Sequence, residues 1–87
     1  MSFALSRHAG LRMSQRAIPA EALELLLLYG ASTSAGSEAF RVWFDREAKA
    51  DVRQAIAEGA ASRNAERWFG IAAIVSPEGV VITVMHT

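Results

Sequence analysis

The start of the chain places a histidine and two arginines on one side of a predicted helix. His8, Arg12 and Arg16 recur every four residues, so helical periodicity brings them onto one face. Two guanidinium groups one turn apart can hold a phosphate through paired hydrogen bonds. The neighbouring imidazole can transfer a proton near neutral pH, as general-base attack by a ribose 2′-hydroxyl requires. This face is therefore a candidate catalytic site for phosphodiester chemistry, and Arg7 adds a further charge for nucleic-acid binding.

The same face also has a purely structural interpretation. It can be solvated, or its arginines can pair with Glu21, Glu24 or Asp45. Charge is unevenly distributed, because residues 1–16 contain arginines and no acid while residues 17–38 contain only acids. The whole chain has nine basic and nine acidic residues, so its net charge gives no support to a nucleic-acid ligand.

Thr83 and His86 are further candidate catalytic residues in the last predicted strand. Alternation along a regular strand puts Thr83 on one face and His86 on the other, so one site can use both only if a bulge intervenes or the chain leaves the strand. If His86 lies near His8, the two rings can divide the acid and base roles. His86 is also one residue from the end of the given sequence, where fraying is common.

Arg41 and Trp43 share one face of another predicted strand. A guanidinium group beside an exposed indole is a platform on which a nucleic-acid base can stack. Alternatively, a helix or a partner covers the tryptophan. Two distant histidines and no cysteine give no ligand spacing for a metal, and no glycine-rich phosphate loop is present, so neither metal nor cofactor is predicted.

The pattern of apolar residues predicts three helices and three strands. Ser6 is a suitable N-cap for a helix over residues 7–16, and Pro19 begins a second helix that ends at Tyr29–Gly30. Residues 31–37 are small and polar, which predicts a loop. A strand over residues 40–45 and a helix over residues 46–58 follow.

The C-terminal part predicts a β-hairpin. Its strands are residues 68–75 and 80–85, joined by a turn with proline in its second position. Residues 2–5 are short but can add an edge strand. We therefore expect a single α+β domain over residues 1–87, with two N-terminal helices packed on an antiparallel sheet of three or four strands and an extra helix before the hairpin.

The N-terminal string carries a family resemblance. Ser6-Arg7-His8-Ala9, Arg12-Met13, Arg16 and Ile18 resemble the signature S-x-H-A-x-x-R-M-x-x-R-x-I of small bacterial proteins of unknown function. That family is placed beside the RelE/ParE/BrnT-like toxins and the barnase-like and EndoU-like ribonucleases. The resemblance covers residues 6–30 and 70–85, whereas residues 46–67 look like an insertion and Pro19 replaces a polar N-cap.

The resemblance implies a toxin-like, metal-independent ribonuclease of a toxin–antitoxin pair, held by a protein antitoxin. Arg12 and Arg16 would neutralise the scissile phosphate, His8 would move the proton, and Thr83 or His86 would orient the RNA. The alternative is a non-catalytic protein-interaction module with the same fold.

The second helix supplies the candidate surface for a partner. It is apolar nearly all round toward its end, so it is either core or the face of a homodimer. The residues concerned are Leu25, Leu26, Leu28 and Tyr29. No signal peptide or stretch of membrane-spanning length is recognisable, which predicts a cytoplasmic protein that does not enter a membrane.

Overall fold

The computed structural model describes residues 4–36 and 38–87, and it shows three helices on one mixed sheet. The elements are β1 (Ala4–Leu5), α1 (Arg7–Gln15), α2 (Ala20–Tyr29), β2 (Ala31–Ser34), β3 (Phe40–Trp43), α3 (Arg46–Ala57), a 3₁₀ helix (Ala65–Trp68), β4 (Ile71–Val75) and β5 (Val80–His86). The strand order is β1-β5-β4-β3-β2. β1 runs parallel to β5, and the other neighbours are antiparallel.

The expected antiparallel sheet of three or four strands is therefore wrong. The sheet has five strands, and the parallel strand β1 makes it mixed. β2 occupies most of the segment predicted as a loop, where Ser32 pairs with Val42 and Ser34 pairs with Phe40. Main-chain hydrogen bonds hold this polar edge strand, so its sequence lacks the alternating apolar residues that would have indicated it.

The helical part of the expected architecture also needs correction. α3 joins α1 and α2 in the same hydrophobic core. The edge strand expected over residues 2–5 is present as β1 at Ala4–Leu5, and residues 2 and 3 lie outside the described residues. The predicted helices are otherwise confirmed to within one residue at either end. The C-terminal hairpin is confirmed too, although its first strand begins only at Ile71 because the 3₁₀ helix takes up Trp68.

The core lies between the three helices and one face of the sheet. Val42, Ala73 and Val84 are in register across three adjacent strands and are all buried. Residues in register share a face, and these pack in one cluster with the buried side chains of the helices. The helical members of that cluster are Ala9, Met13, Ala22, Leu23, Leu26, Ala48 and Val52.

The opposite face of the sheet, here called the open face, points away from α1, whose buried residues Ala9 and Met13 belong to the core. Two rows of side chains cross β3, β4 and β5 on this face. One row is Arg41, Ile74 and Thr83, and the other is Trp43, Ala72 and Met85. A bulge interrupts the pairing of β4 with β5, because consecutive partners of β4 are Thr83 and Val81. The bulge lies before Thr83, so it does not move this residue onto the face of His86.

None of the described helices has both the length and the apolar character required to cross a bilayer.

Candidate functional site

Helix α1 is anchored to β5 at its first turn by Ser6. The Ser6 amide donates to the Val81 carbonyl at 2.8 Å, and the Ser6 hydroxyl donates to the Ile82 carbonyl at 2.8 Å. The same hydroxyl accepts from the Ala9 amide at 3.1 Å, which is the N-cap hydrogen bond predicted from the sequence. Because Ala9 and Met13 are the buried residues of α1, its polar side faces outward.

His8 and Arg12 contact each other on that outward side. Arg12 Nε donates to His8 Nε2 over 3.4 Å, at the long end of hydrogen-bond distances. A nitrogen that accepts a hydrogen bond carries no proton, so this contact uses the neutral imidazole with its hydrogen on Nδ1. His8 is exposed and Arg12 is partly exposed, so a ligand can reach both groups.

Arg16 and His86 form a second contact where α1 ends against β5. Arg16 Nη1 donates to the Val84 carbonyl at 3.4 Å, and His86 Nε2 lies 3.3 Å from the Arg16 carbonyl. The His86 nitrogen is the donor in this contact, since a carbonyl oxygen only accepts. Arg16 and His86 are both exposed.

The two histidines lie at opposite ends of α1. His86 contacts residue 16, which is eight residues from His8 and thus about 12 Å away along the helix axis. One phosphodiester linkage is too small to contact both imidazoles at that separation. The structure brings together His8 with Arg12, and Arg16 with His86, but it does not bring the two histidines to one reacting group.

The arginines of α1 do not pair with the carboxylates that the structural interpretation offered. Within residues 4–36 and 38–87, the ion pair is that of Arg53 with Glu66, at 2.7 Å. Asp45 instead caps α3 by accepting from the Ala48 amide at 2.7 Å. The positive charge of α1 is therefore not neutralised by a described carboxylate.

Thr83, Arg41 and Trp43 form a separate group on the open face of the sheet. Thr83 and Arg41 share a row two strand spacings apart, about 10 Å. Arg41 is exposed, and its Cζ lies 5.7 Å from the centroid of the Trp43 ring, which is cation–π distance. This group faces away from α1, so Thr83 does not share a site with His8 or His86.

A cavity of about 260 Å³ lies between α2 and the segment that joins α3 to β4. Its α2 wall consists of Glu21, Glu24, Leu25, Leu28 and Tyr29, and its other wall consists of Ala60, Ala61, Ser62, Ala65 and Trp68. Leu26 is fully buried in the core, so among the four residues predicted for a homodimer only the other three line this surface. The sequence analysis named these apolar residues as a partner surface but did not place Glu21 and Glu24 beside them. The spacing of residues 21, 24, 25 and 28 nevertheless puts all four on one stripe of the helix.

Among the residues that the structure describes, no three His, Cys, Asp or Glu side chains are grouped as a metal ion would require. Comparison with protein-family models, with curated proteins and with solved structures gave no match to this chain. The resemblance to toxin-like ribonucleases therefore remains a prediction from the N-terminal residues.

Proposed function

We propose that this chain is a toxin-like ribonuclease that cleaves RNA by metal-independent transphosphorylation and is held inactive by a protein antitoxin. The observation that supports it most is the contact between His8 and Arg12 on an exposed helix face without acids. A proton acceptor and a fixed positive charge side by side are the two groups that this reaction needs.

In the proposed reaction, His8 Nε2 takes the proton from a ribose 2′-hydroxyl. The 2′-oxygen then attacks the adjacent phosphorus, and the bond from phosphorus to the 5′-oxygen breaks. The leaving 5′-oxygen takes a proton from water, and His8 releases its proton to the hydroxide that forms. The products are a 2′,3′-cyclic phosphate and a 5′-hydroxyl, with His8 restored. Arg12 turns from the imidazole to the phosphate oxygens, where negative charge accumulates in the transition state.

The remaining arginines of α1 would hold the RNA backbone. Arg16 lies one turn beyond Arg12 and Arg7 lies one residue before His8, so both can contact neighbouring phosphates. The net charge of the chain is neutral, but residues 1–16 contain three arginines and no acid, so this segment is locally positive. His86 would orient the RNA beside Arg16. Arg41 and Trp43 lie on the other face of the sheet, so a base that stacked on them would be bound away from α1.

The test is a cleavage assay on single-stranded RNA in the presence of a metal chelator. We expect the wild type to form 2′,3′-cyclic phosphate ends, and His8→Ala to lower the rate by about 10²–10⁴-fold, the usual contribution of a general base. Arg63→Ala is the matched control, since it removes one exposed arginine far along the chain from α1. It should leave the rate unchanged.

Growth on expression in a bacterial host gives the second measurement. The wild type should arrest growth, and His8→Ala or Arg12→Ala should relieve the arrest while the proteins remain folded. A wild type that cleaves no RNA and is harmless to the host contradicts the proposal. Equal cleavage by wild type and His8→Ala would show that cleavage does not depend on His8, and it would contradict the proposal as well.

The cavity beside α2 favours a second candidate function, a non-catalytic interaction module. Leu28 is 58% exposed at its edge, and it adjoins the apolar lining residues Leu25 and Trp68. This candidate predicts self-association or capture of a partner without any RNA cleavage. The cleavage assay therefore separates the two functions.

A further inference from the structure

The cavity beside α2 combines an apolar wall with two carboxylates. Leu25, Leu28 and Trp68 supply apolar surface, and Glu21 and Glu24 lie side by side because they are three residues apart on the helix. Both glutamates are exposed, and neither forms an ion pair with a described residue. A ligand that fits this surface carries an apolar group next to a positive charge.

The outer side of α1 carries that combination. Leu11 is 55% exposed and lies opposite the buried residues Ala9 and Met13. Arg7 precedes it by one helical turn, so the leucine and the guanidinium group project on the same side. A helix that presents one apolar side chain beside a cation is a suitable partner for an apolar, acidic cavity.

One chain cannot bring these two surfaces together. α1 is fixed on β5 through the hydrogen bonds of Ser6, whereas α2 packs against β3, α3 and the 3₁₀ helix. A second copy can supply the missing half, and the balanced net charge of the chain means that two copies do not repel each other as wholes.

We propose that the cavity beside α2 is a self-association site that receives α1 of a second copy, with Leu11 against Leu28 and Arg7 against Glu21 and Glu24. The complementary charge of the two surfaces favours this contact between copies. Each chain carries one α1 surface and one cavity. Two chains can therefore make the contact twice and form a closed dimer, or successive chains can make it once each and form a longer assembly. Association would also partly cover His8 and Arg12, which adjoin Leu11 on α1.

The experiment is sedimentation velocity over a range of protein concentrations, without RNA. The wild type should shift from monomer to larger species as concentration rises. Arg7→Glu and Glu21→Arg should each weaken association by about tenfold or more, since each places like charges together. Asp51→Arg, a charge reversal on the exposed side of α3, is the control and should not change association.

Mixing the two charge-reversed proteins gives the decisive result. The α1 of Arg7→Glu is then complementary to the cavity of Glu21→Arg, so the mixture should associate more tightly than either protein does alone. A wild type that stays monomeric at every concentration overturns the proposal. Association that neither reversal weakens overturns it too, because it would have to use another surface. RNA cleavage does not enter this measurement, so the ribonuclease proposal can fail without affecting the result.

Discussion

The two N-terminal helices are held to the same sheet in different ways. α1 buries only Ala9 and Met13, and it depends on hydrogen bonds of Ser6 to fix its first turn on β5. α2 has no side-chain cap at Pro19 and depends on the burial of Ala22, Leu23 and Leu26. Because α1 buries only two side chains, most of its surface carries polar side chains, and these are available for chemistry.

The largest effect that tests this comparison is expected on α2. Leu26→Ala should lower the free energy of unfolding by about 2–5 kcal/mol, because it empties space in a fully packed core. Leu28→Ala on the same helix should change it by less than about 0.5 kcal/mol, since that side chain is exposed. Denaturant unfolding measures both. A similar loss of unfolding free energy in Leu26→Ala and Leu28→Ala would contradict the account that burial of the Leu26 side holds α2.

A smaller effect is expected at the anchor of α1. Ser6→Ala removes the N-cap and the hydrogen bond to the Ile82 carbonyl together, so the free energy of unfolding should fall by about 1–2 kcal/mol. Ser14→Ala, on the exposed side of the same helix, is the matched control and should be close to neutral. If Ser6→Ala is also neutral, the Ser6 hydroxyl does not contribute to holding α1.

The smallest effect concerns the end of α1 and has the opposite sign. Ala17 has a φ of 52°, in the left-handed region that favours glycine, and the Ile18 amide donates to the Met13 carbonyl at 2.9 Å. Ala17→Gly should therefore stabilise the protein by about 0.5–1 kcal/mol. Ala50→Gly, inside α3, should destabilise it by about 1 kcal/mol. Thermal unfolding measures the Tm of both variants. A Tm below that of the wild type for Ala17→Gly as well as for Ala50→Gly would contradict the account of this turn.

The elements with strong local signals could be predicted from the sequence. Ser6 as an N-cap and the stripe of Ala48, Val52 and Ala55 in α3 are confirmed, because capping and amphipathic periodicity act within a few residues. β1 and β2 could not be predicted with the same security. β1 has only two residues and depends on pairing with β5, which is distant in sequence. β2 is polar and depends on pairing with β3 across a turn.

The candidate site shows the same limit. The four-residue spacing of His8 and Arg12 was sufficient to predict that they share a helix face. The distance between His8 and His86, however, depends on where β5 crosses α1, and no local pattern contains that information. The placement of Thr83 with Arg41 likewise depends on strand register across two neighbours.

The claim that α1 is the RNA-binding surface is tested most directly by an NMR titration of backbone amides. The ligand is a single-stranded RNA with 2′-O-methyl riboses, which cannot undergo transphosphorylation. We expect the largest chemical-shift changes in residues 7–16 and at His86, with little change at Arg41 and Trp43. Changes confined to the open face of the sheet or to the cavity beside α2, or no change at all, would contradict the account.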